Sequence, residues 1–184
     1  MINLPQKHLR HFNIPGHSHA LTFSCYRQLP LLTKDRTRHW LMDAVERACL
    51  KHDYRLLAYV IMPEHIHLLV APNKDIYDIA KFLQSVKQPV AVKARNWLRQ
   101  NDLRWLERLT IMSANGKKHF QFWQQSGGYD RNLLQEPMVQ KIIDYIHGNP
   151  VRKNLASRTT DWKWSSARWY AADCEGSIFT ILEK

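Results

Sequence analysis

Two histidines, His65 and His67, are the residues whose type and spacing most clearly allow chemistry in this chain. The segment 65–71 (HIHLLVA) is rich in β-formers and predicts a strand that begins after a break at Pro63 and Glu64. Because successive side chains of a strand point to opposite faces, both imidazoles project from one face and the apolar residues between them point into a core. Imidazole is a common ligand of transition metals, so the pair could hold one divalent cation.

A His-x-His pair also has a second interpretation, because histidines in such a pair are more often packed or surface side chains. A rival pair, His17 and His19, lies in a polar segment without an apolar counter-face, and we therefore favour His65 and His67. Glu64 is a further candidate for metal or proton chemistry, and its alternative interpretation is a solvated turn carboxylate.

A tyrosine and an asparagine share a second pattern. Segment 138–147 predicts a short helix that Gly148 and Pro150 should stop. Asn149 follows Tyr145 by four residues, so about 40° separates the two on a helical wheel. Both lie at the edge of the apolar stripe, where a phenol and an amide oxygen can reach the same point. The alternative is a tyrosine that packs its ring and an asparagine that caps the helix end.

The rest of the sequence predicts the strands and helices that position these groups. Strands are predicted at 19–26 and 55–62 in addition to 65–71, and a hairpin could join 109–112 to 119–123 around Asn115-Gly116. Helices are predicted at 35–52, from about Asp75 up to a kink or end at Pro89 with Ile76 on the apolar face, and again at 90–99. A possible last strand covers 178–182.

This order predicts an α+β fold, a ferredoxin-like antiparallel sheet with helices on one face, plus a C-terminal helix that carries Tyr145. The second face of the sheet is left free for a ligand. We expect one domain over 1–184, with an N-terminal arm at 1–16, an inserted hairpin at 101–118 and a C-terminal tail at 151–184.

Charge is the unusual feature of the composition. The chain has 27 Lys and Arg against 16 Asp and Glu, a net charge of +11, which favours a polyanionic partner such as nucleic acid. Three cysteines without C-x-x-C spacing indicate neither a disulfide framework nor a zinc knuckle. Segment 1–19 lacks a signal-peptide core and no segment approaches membrane-span length, so we expect a cytoplasmic, nucleoid-associated protein with no membrane partner.

Four sequence blocks together resemble a known family. They are YVIMPEHIHLLV at 59–70, FWQ at 122–124 with GYDR at 128–131, DYIHGNPVR at 144–152, and WSSA at 164–167. In this order they resemble the REP-associated tyrosine transposases, which belong to the HUH superfamily of single-strand endonucleases. The resemblance spans roughly residues 17 to 170.

The resemblance implies a role for each candidate residue. His65 and His67 would be the histidines of the HUH motif, Asn149 the third protein ligand of Mg²⁺ or Mn²⁺, and Tyr145 the nucleophile. Attack by Tyr145 would give a 5′-phosphotyrosine and a free 3′-hydroxyl. The implied substrate is hairpin DNA from repetitive extragenic palindromes with a short single-stranded flank, bound by a monomer or a homodimer. Tyr129, beside Gly128, is the competing nucleophile.

Other residues of the chain are candidates for DNA contact. The basic candidates are Arg131, Arg152, Lys153, Arg158, Lys163 and Arg168, with Lys81, Lys87, Lys93 and Arg95 in a wider set. For each one singly, a solvated surface charge is the alternative. Trp162, Trp164 and Trp169 could stack on bases, although we favour a tryptophan plug that closes the C-terminal core. Relative to shorter family members, 101–118 is an insertion that could contact DNA, and Asn154 stands where glycine is common.

Two other functions are compatible with this fold. A non-cleaving hairpin-DNA-binding regulator would use the same basic surface, but it would not need His65, His67, Tyr145 and Asn149 together. An RNA-processing nuclease would be served equally well by the charge and the sheet. The sequence favours the strand-cleaving enzyme over both.

Overall fold

Strands and helices alternate along the chain largely as predicted, in a computed structural model that describes residues 11–113, 115–125, 128–172 and 178–179. The strands are β1 (Ser18–Ser24), β2 (Tyr54–Ile61), β3 (His65–Pro72), β4 (Thr110–Met112), β5 (Lys118–Phe120) and β6 (Tyr129–Leu133). The helices are α1 (Asp35–His52), α2 (Ile79–Asn101), α3 (Leu103–Arg108), α4 (Glu136–Arg152) and α5 (Ala167–Ala171). Within these residues, no helix combines the length and the apolar character that crossing a membrane requires.

The main sheet has four strands in the order β2-β3-β1-β6, and every neighbouring pair is antiparallel. Helix α1 connects β1 to β2, and α2 lies between β3 and β6, which is the β-α-β-β-α-β pattern of ferredoxin-like folds. The predicted fold class is therefore confirmed. The predicted hairpin is also present, as the separate two-stranded pair of β4 and β5.

Alternation along the strands divides their side chains between two cores. The core under α1 and α2 takes the predicted inward residues of β3, namely Ile66, Leu68 and Val70. On the opposite face, Ile143 and Ile146 of α4 pack with Val60 and Leu69 of the sheet. The prediction that this second face is free is therefore wrong over the part that α4 covers, because the apolar stripe of α4 must itself be buried.

Helix α4 continues to Arg152, so the predicted stop at Gly148 and Pro150 is wrong. A proline inside a helix lacks the N–H that would bond the carbonyl four residues earlier, here that of Ile146. The side-chain Nδ2 of Asn149 donates to this same carbonyl at 3.3 Å. A side-chain donor thus replaces the missing backbone donor, and the helix passes through the proline.

The turn after α4 explains the residue that departs from the family pattern. Asn154 has φ of 56°, in the left-handed region where glycine is most common. Asparagine tolerates this region better than other residues with a side chain. The substitution therefore keeps the turn geometry.

Helix α2 starts later than predicted and continues through Pro89. It begins at Ile79 instead of near Asp75, because Asp78 is the N-cap and accepts two backbone N–H groups of the first turn. Ile76 is 94% exposed and does not belong to the apolar face. Of the two alternatives at Pro89, a kink or an end, the structure excludes the end, because the helix continues through this exposed proline to Asn101.

Strand β6 was not predicted, although it forms one edge of the main sheet. Its sequence, YDRNL, has low strand propensity, and a long-range contact anchors it instead. The buried Asp130 side chain lies 2.8 Å from His19 Nδ1 and 2.6 Å from His11 Nδ1. The rival histidine His19 is therefore a structural residue, because its other ring nitrogen lies 2.9 Å from the hydroxyl of Tyr77.

The C-terminal tryptophans close the first core, as the favoured interpretation predicts. Trp164 is buried and donates its indole N–H to Asp35, and Trp162 donates to the carbonyl of Ile61. Trp169 packs against the same core. Of the predicted last strand, 178–182, residues 178 and 179 form a turn and the rest lies outside the described residues.

Candidate active site

The two histidines of β3 lie side by side on the face of the sheet that α4 covers. Their partners on β1 are Ser24 for His65 and Thr22 for His67. The Nε2 atoms of the two imidazoles are 3.1 Å apart, and the rings are perpendicular. The same-face geometry predicted from the spacing is therefore present, with both rings turned toward a common point.

Hydrogen bonds at Nδ1, the ring nitrogen that faces away from the Nε2 contact, hold both rings in this orientation. The Nδ1 atom of His65 lies 3.0 Å from a carboxylate oxygen of Glu64, and Nδ1 of His67 lies 2.7 Å from the hydroxyl of Thr22. An ionised carboxylate can only accept a hydrogen bond. In the neutral ring of His65, Nδ1 therefore carries the proton and Nε2 keeps a lone pair. Thr22 can accept from His67 in the same way. Glu64 is thus an orienting group behind His65.

The histidine pair fits a divalent cation. Two nitrogens bound at right angles to one ion, each about 2.1 Å from it, would be about 3.0 Å apart. Two lone pairs at the observed 3.1 Å repel one another unless a proton or a cation lies between them. Burial, opposed by Glu64, lowers the pKa of His65, and burial with the charges of His65 and Arg152 lowers the pKa of His67 to about 3. Both rings are therefore neutral near pH 7, as metal ligation requires.

The histidines supply only two ligands. Among the residues that the structure describes, no three His, Cys, Asp or Glu side chains cluster so that they could hold a metal ion. Any further protein ligand among the described residues would therefore have another chemistry, and the amide oxygen of Asn149 is the choice that the family resemblance implies.

Tyr145 projects from α4 into the same space. Its ring meets the ring of His67 edge to face, with 5.8 Å between centroids, and half of its surface is exposed. Both residues line an open cavity of about 480 Å³ between α4 and the sheet, together with Thr22 and, from β6, Tyr129 and Arg131. The geometry thus places a solvent-accessible phenol against the histidine pair.

The competing tyrosine, Tyr129, lines the same cavity and is 49% exposed. It lies opposite Thr22 in the sheet register, on the same face as His67. Within the described part of the chain, only Tyr145 of the two has a ring contact with His67. The structure therefore gives Tyr145 the closer relation to the candidate metal ligands.

Asn149 is buried one helical turn after Tyr145. Its Nδ2 donates to the carbonyls of Tyr145 at 3.0 Å and Ile146 at 3.3 Å. Because carbonyls only accept, these two bonds assign the amide nitrogen to the helix side and the amide oxygen to the opposite side. Oxygen is the atom of an asparagine that can ligate Mg²⁺ or Mn²⁺.

Arg152 is exposed, and its side chain lies across Tyr145. Its guanidinium carbon is 4.4 Å from the centre of the Tyr145 ring, and one of its nitrogens donates to the carbonyl of Tyr145. The side chain reaches this position by crossing over Gly148. A Cβ atom at Gly148 would lie 2.5 Å from the guanidinium nitrogen Nη1. A glycine at this helix position therefore makes room for the cation above the tyrosine.

Gly148→Ala should separate stability from activity. Alanine in a helix interior is more favourable than glycine by about 0.5–1 kcal/mol, and the clash involves only the flexible end of Arg152. We therefore expect unchanged or slightly higher thermal stability and a several-fold lower rate of strand cleavage, because Arg152 can no longer hold Tyr145. Thermal unfolding and single-turnover cleavage measure the two effects. An Arg152→Ala variant should show the same loss of rate, and a fully active Gly148→Ala variant would contradict this role for Arg152.

The family blocks DYIHGNPVR and WSSA meet in the structure and anchor α4. His147 Nε2 lies 2.8 Å from the hydroxyl of Ser166, which in turn accepts the backbone N–H of Tyr59 at 3.0 Å. Burial lowers the pKa of His147 to about 4, so the ring is neutral near pH 7. The sequence analysis missed this role for His147 and Ser166, although both lie within the blocks that carry the resemblance.

The predicted DNA-contacting cations are distributed unevenly around the site. Arg131 lines the cavity, Arg152 covers Tyr145, and the charge of Lys153 reaches His65, whose pKa it lowers. The other three have partners within the protein. Arg158 pairs with Asp161, Lys163 lies above the ring of Trp164, and Arg168 donates to the carbonyl of Thr160.

Comparison with known proteins identifies the family of this chain. The family model of the IS200-like transposases matches residues 15–149. A Haemophilus influenzae protein named as a REP-associated tyrosine transposase is 26% identical over 146 residues, which is 74% of this chain and 76% of the relative. A solved structure, described as a REP-associated tyrosine transposase bound to a REP hairpin, has a TM-score of 0.68 at 18% identity and covers 94% of this chain and 89% of its own. The resemblance stated from the sequence is thus confirmed, and the chain belongs to the IS200-like transposase family.

Proposed function

We propose that this protein is a divalent-metal-dependent endonuclease and strand transferase that acts on single-stranded DNA beside a REP-type hairpin, through a 5′-phosphotyrosine intermediate. The observation that carries the proposal is that the histidine pair and Tyr145 meet at the open cavity, which His67 and Tyr145 line. The Nε2 atoms of His65 and His67 face each other at 3.1 Å, and the exposed ring of Tyr145 lies against His67.

The residues at and beside the cavity divide the chemistry between them. Mg²⁺ or Mn²⁺ held by His65, His67 and Asn149 would supply polarisation of a non-bridging phosphate oxygen. The hydroxyl oxygen of Tyr145 forms a bond to phosphorus while the bond from phosphorus to the 3′-oxygen breaks. The proton lost by Tyr145 balances the one gained by the 3′-oxygen, which leaves as a hydroxyl. Reversal of this step joins strands without an external energy source.

Arg152 and Asn149 prepare Tyr145 for the attack. Arg152 lies over its ring and binds its carbonyl, and Asn149 binds the same carbonyl, so the helix turn that carries the phenol is held from two sides. A positive charge above the ring also favours charge that develops on the phenol oxygen in the transition state. Positioning of this kind is a large part of the rate enhancement in phosphoryl transfer.

Charge and form of the cavity favour a DNA strand as the ligand. The net charge of +11 matches a polyanion, and Arg131 lies on the cavity wall next to the exposed ring of Tyr129. Exposed aromatic rings beside cations are typical of sites that bind unpaired bases. The similarity to a transposase whose structure was solved with a REP hairpin supports hairpin DNA as the specific substrate.

A substrate panel tests the proposal and its two alternatives. We expect cleavage of a REP-type DNA hairpin with a single-stranded flank when Mn²⁺ or Mg²⁺ is present, and none of an RNA hairpin or a blunt DNA duplex. Gel analysis of end-labelled substrates, with and without chelator, measures this. Tight binding without any cleavage would instead indicate a hairpin-binding regulator, and preferential cleavage of the RNA hairpin would indicate an RNA-processing nuclease.

A further inference from the structure

A second open groove lies outside the active-site cavity, between α2 and the β4–β5 hairpin. Its volume is about 470 Å³. Helix α2 contributes Arg95 and Arg99 to the lining, and β5 contributes Lys118 and His119. We propose that this groove, hereafter the α2–hairpin groove, binds the sugar-phosphate backbone of the double-stranded stem of the DNA. The inference rests on the proposed function, because it assumes a DNA ligand.

The charge of the groove is uncompensated. Arg95, Arg99 and Lys118 are exposed, no acidic residue lines the groove, and none of the three forms an ion pair with another residue that the structure describes. Other cations of α2 behave differently, since Lys81 pairs with Asp78 and Lys93 pairs with Asp43. Three cations gathered in one concave surface repel each other, and a polyanion relieves that repulsion with release of its counterions.

The direction of these side chains separates the groove from the packed side of α2. Lys93 reaches α1 through its pair with Asp43. Arg95 follows Lys93 by two residues and therefore points about 200° away around the helix, and Arg99 lies one turn further along the same side. The cations thus face away from α1, toward the hairpin, and they do not stabilise the packing of the two helices.

The second wall of the groove comes from the segment predicted as an insertion. The segment 101–118 contains all of α3 and β4 and reaches Lys118, the first residue of β5. Leu106 and Thr110 from this segment line the groove. The segment 101–118 therefore turns one exposed side of α2 into a concave surface.

The groove is near enough to the active site for one DNA molecule to occupy both. Beyond β5 the chain runs to Gln124, whose backbone N–H donates to the carbonyl of Ser24 at 2.9 Å. Ser24 in turn lies opposite His65 in the sheet. Four residues extend at most about 14 Å and each strand-to-strand step adds about 5 Å, so Phe120 and His65 are within about 25 Å. That distance corresponds to about seven steps of duplex DNA at about 3.4 Å each.

The test is a comparison of two triple variants with equal loss of charge. Arg95→Gln, Arg99→Gln and Lys118→Gln together remove the cations of the groove but keep their long side chains. Arg47→Gln, Lys51→Gln and Arg55→Gln form the control, because these residues are exposed and have no ion pair among the described residues. Fluorescence anisotropy from 50 to 200 mM salt would measure affinity for a DNA hairpin with its flank and for the flank alone.

We expect the groove variant to bind the hairpin substrate about 10- to 100-fold more weakly than the control variant. Each lost phosphate contact should reduce the slope of log affinity against log salt by about 0.9. Binding and cleavage of the single-stranded flank alone should match the control, since that ligand does not reach the groove. Restoring Arg95 and Arg99 as lysines should recover most of the hairpin affinity.

Equal hairpin affinity and equal salt slope in the two triple variants would overturn the groove assignment while leaving the proposed function intact. An equal loss for hairpin and flank would also contradict it, because the effect would then not depend on the stem. A wild-type protein that binds no DNA hairpin would instead overturn the proposed function and this inference with it. Thermal unfolding of both variants shows whether they are folded. If the glutamine variant is not, the single variant Lys118→Gln, which leaves α2 unchanged, provides the test through a smaller, stem-dependent loss of hairpin affinity.

Discussion

Tyr145→Phe is expected to abolish strand cleavage, by about 10⁴-fold or more, and to eliminate the covalent protein–DNA adduct, because the nucleophile itself is lost. The substitution removes one oxygen and keeps the ring that packs edge to face against His67 and beneath Arg152. The Tyr145 side chain is half exposed and its hydroxyl is not required by the core, so stability should change by less than about 0.5 kcal/mol. Hairpin affinity should likewise stay within about threefold of wild type.

The matched control is Tyr129→Phe, because Tyr129 lines the same cavity with nearly the same exposure. We expect this variant to retain the adduct and to lose at most a few-fold in rate. A DNA substrate cut in the presence of Mn²⁺, followed by proteolysis and mass spectrometry, locates the modified peptide. An adduct on residue 129, or an adduct that persists in Tyr145→Phe, would show that the nucleophile has been assigned to the wrong tyrosine.

The parts of the site that could be predicted are those that depend on local periodicity. The spacing of His65 and His67 on a strand determines that both rings share a face, and the structure confirms this. The four-residue spacing of Tyr145 and Asn149 similarly determines that they are neighbours on a helix. Neither relation depends on how distant segments pack, and for that reason both are visible in the sequence.

The helix boundaries that were predicted wrongly have a different origin. Each of them depends on one side chain that forms a hydrogen bond with a backbone group left without its helical partner. Pro150 should stop a helix, but the amide of Asn149 supplies the missing donor and α4 continues. The pattern predicts a start of α2 near Asp75, whereas Asp78 is the residue whose carboxylate caps the first turn. Helix propensity and hydrophobic pattern do not show which of several nearby polar residues forms this hydrogen bond.

Long-range contacts explain the features that were missed. Strand β6 has a polar sequence, and it is held by Asp130, which lies in contact with two histidines more than 100 residues earlier. The His147–Ser166 contact and the backbone of Tyr59 join three segments that are far apart in sequence. The position of Arg152 over Tyr145 depends on the absence of a side chain at Gly148. None of these relations has a periodic signal, so the three-dimensional structure is needed to find them.

Replacing both His65 and His67 by Ala is expected to abolish metal-dependent cleavage, by about 10³-fold or more, while hairpin binding survives. The Nε2 atoms of His65 and His67 lie 3.1 Å from each other. The double variant therefore removes both candidate nitrogen ligands at once. DNA affinity should change little, because these rings are largely buried and neutral, and the cations of the surface are unaffected. Calorimetric titration with Mn²⁺ and single-turnover cleavage measure the two quantities separately.

Glu64→Gln provides a graded version of the same prediction. Glu64 lies behind His65, 3.0 Å from its Nδ1, and groups in such positions typically contribute about 10- to 100-fold to metal affinity. We therefore expect weaker Mn²⁺ binding that higher metal concentration overcomes, in contrast to the double alanine variant, which metal should not rescue. His39→Ala is the control for loss of a histidine elsewhere, because His39 is exposed on α1 and its ring contacts Trp164. If the double alanine variant cleaves DNA with an unchanged dependence on Mn²⁺, the metal is held elsewhere and the assignment of His65 and His67 is wrong.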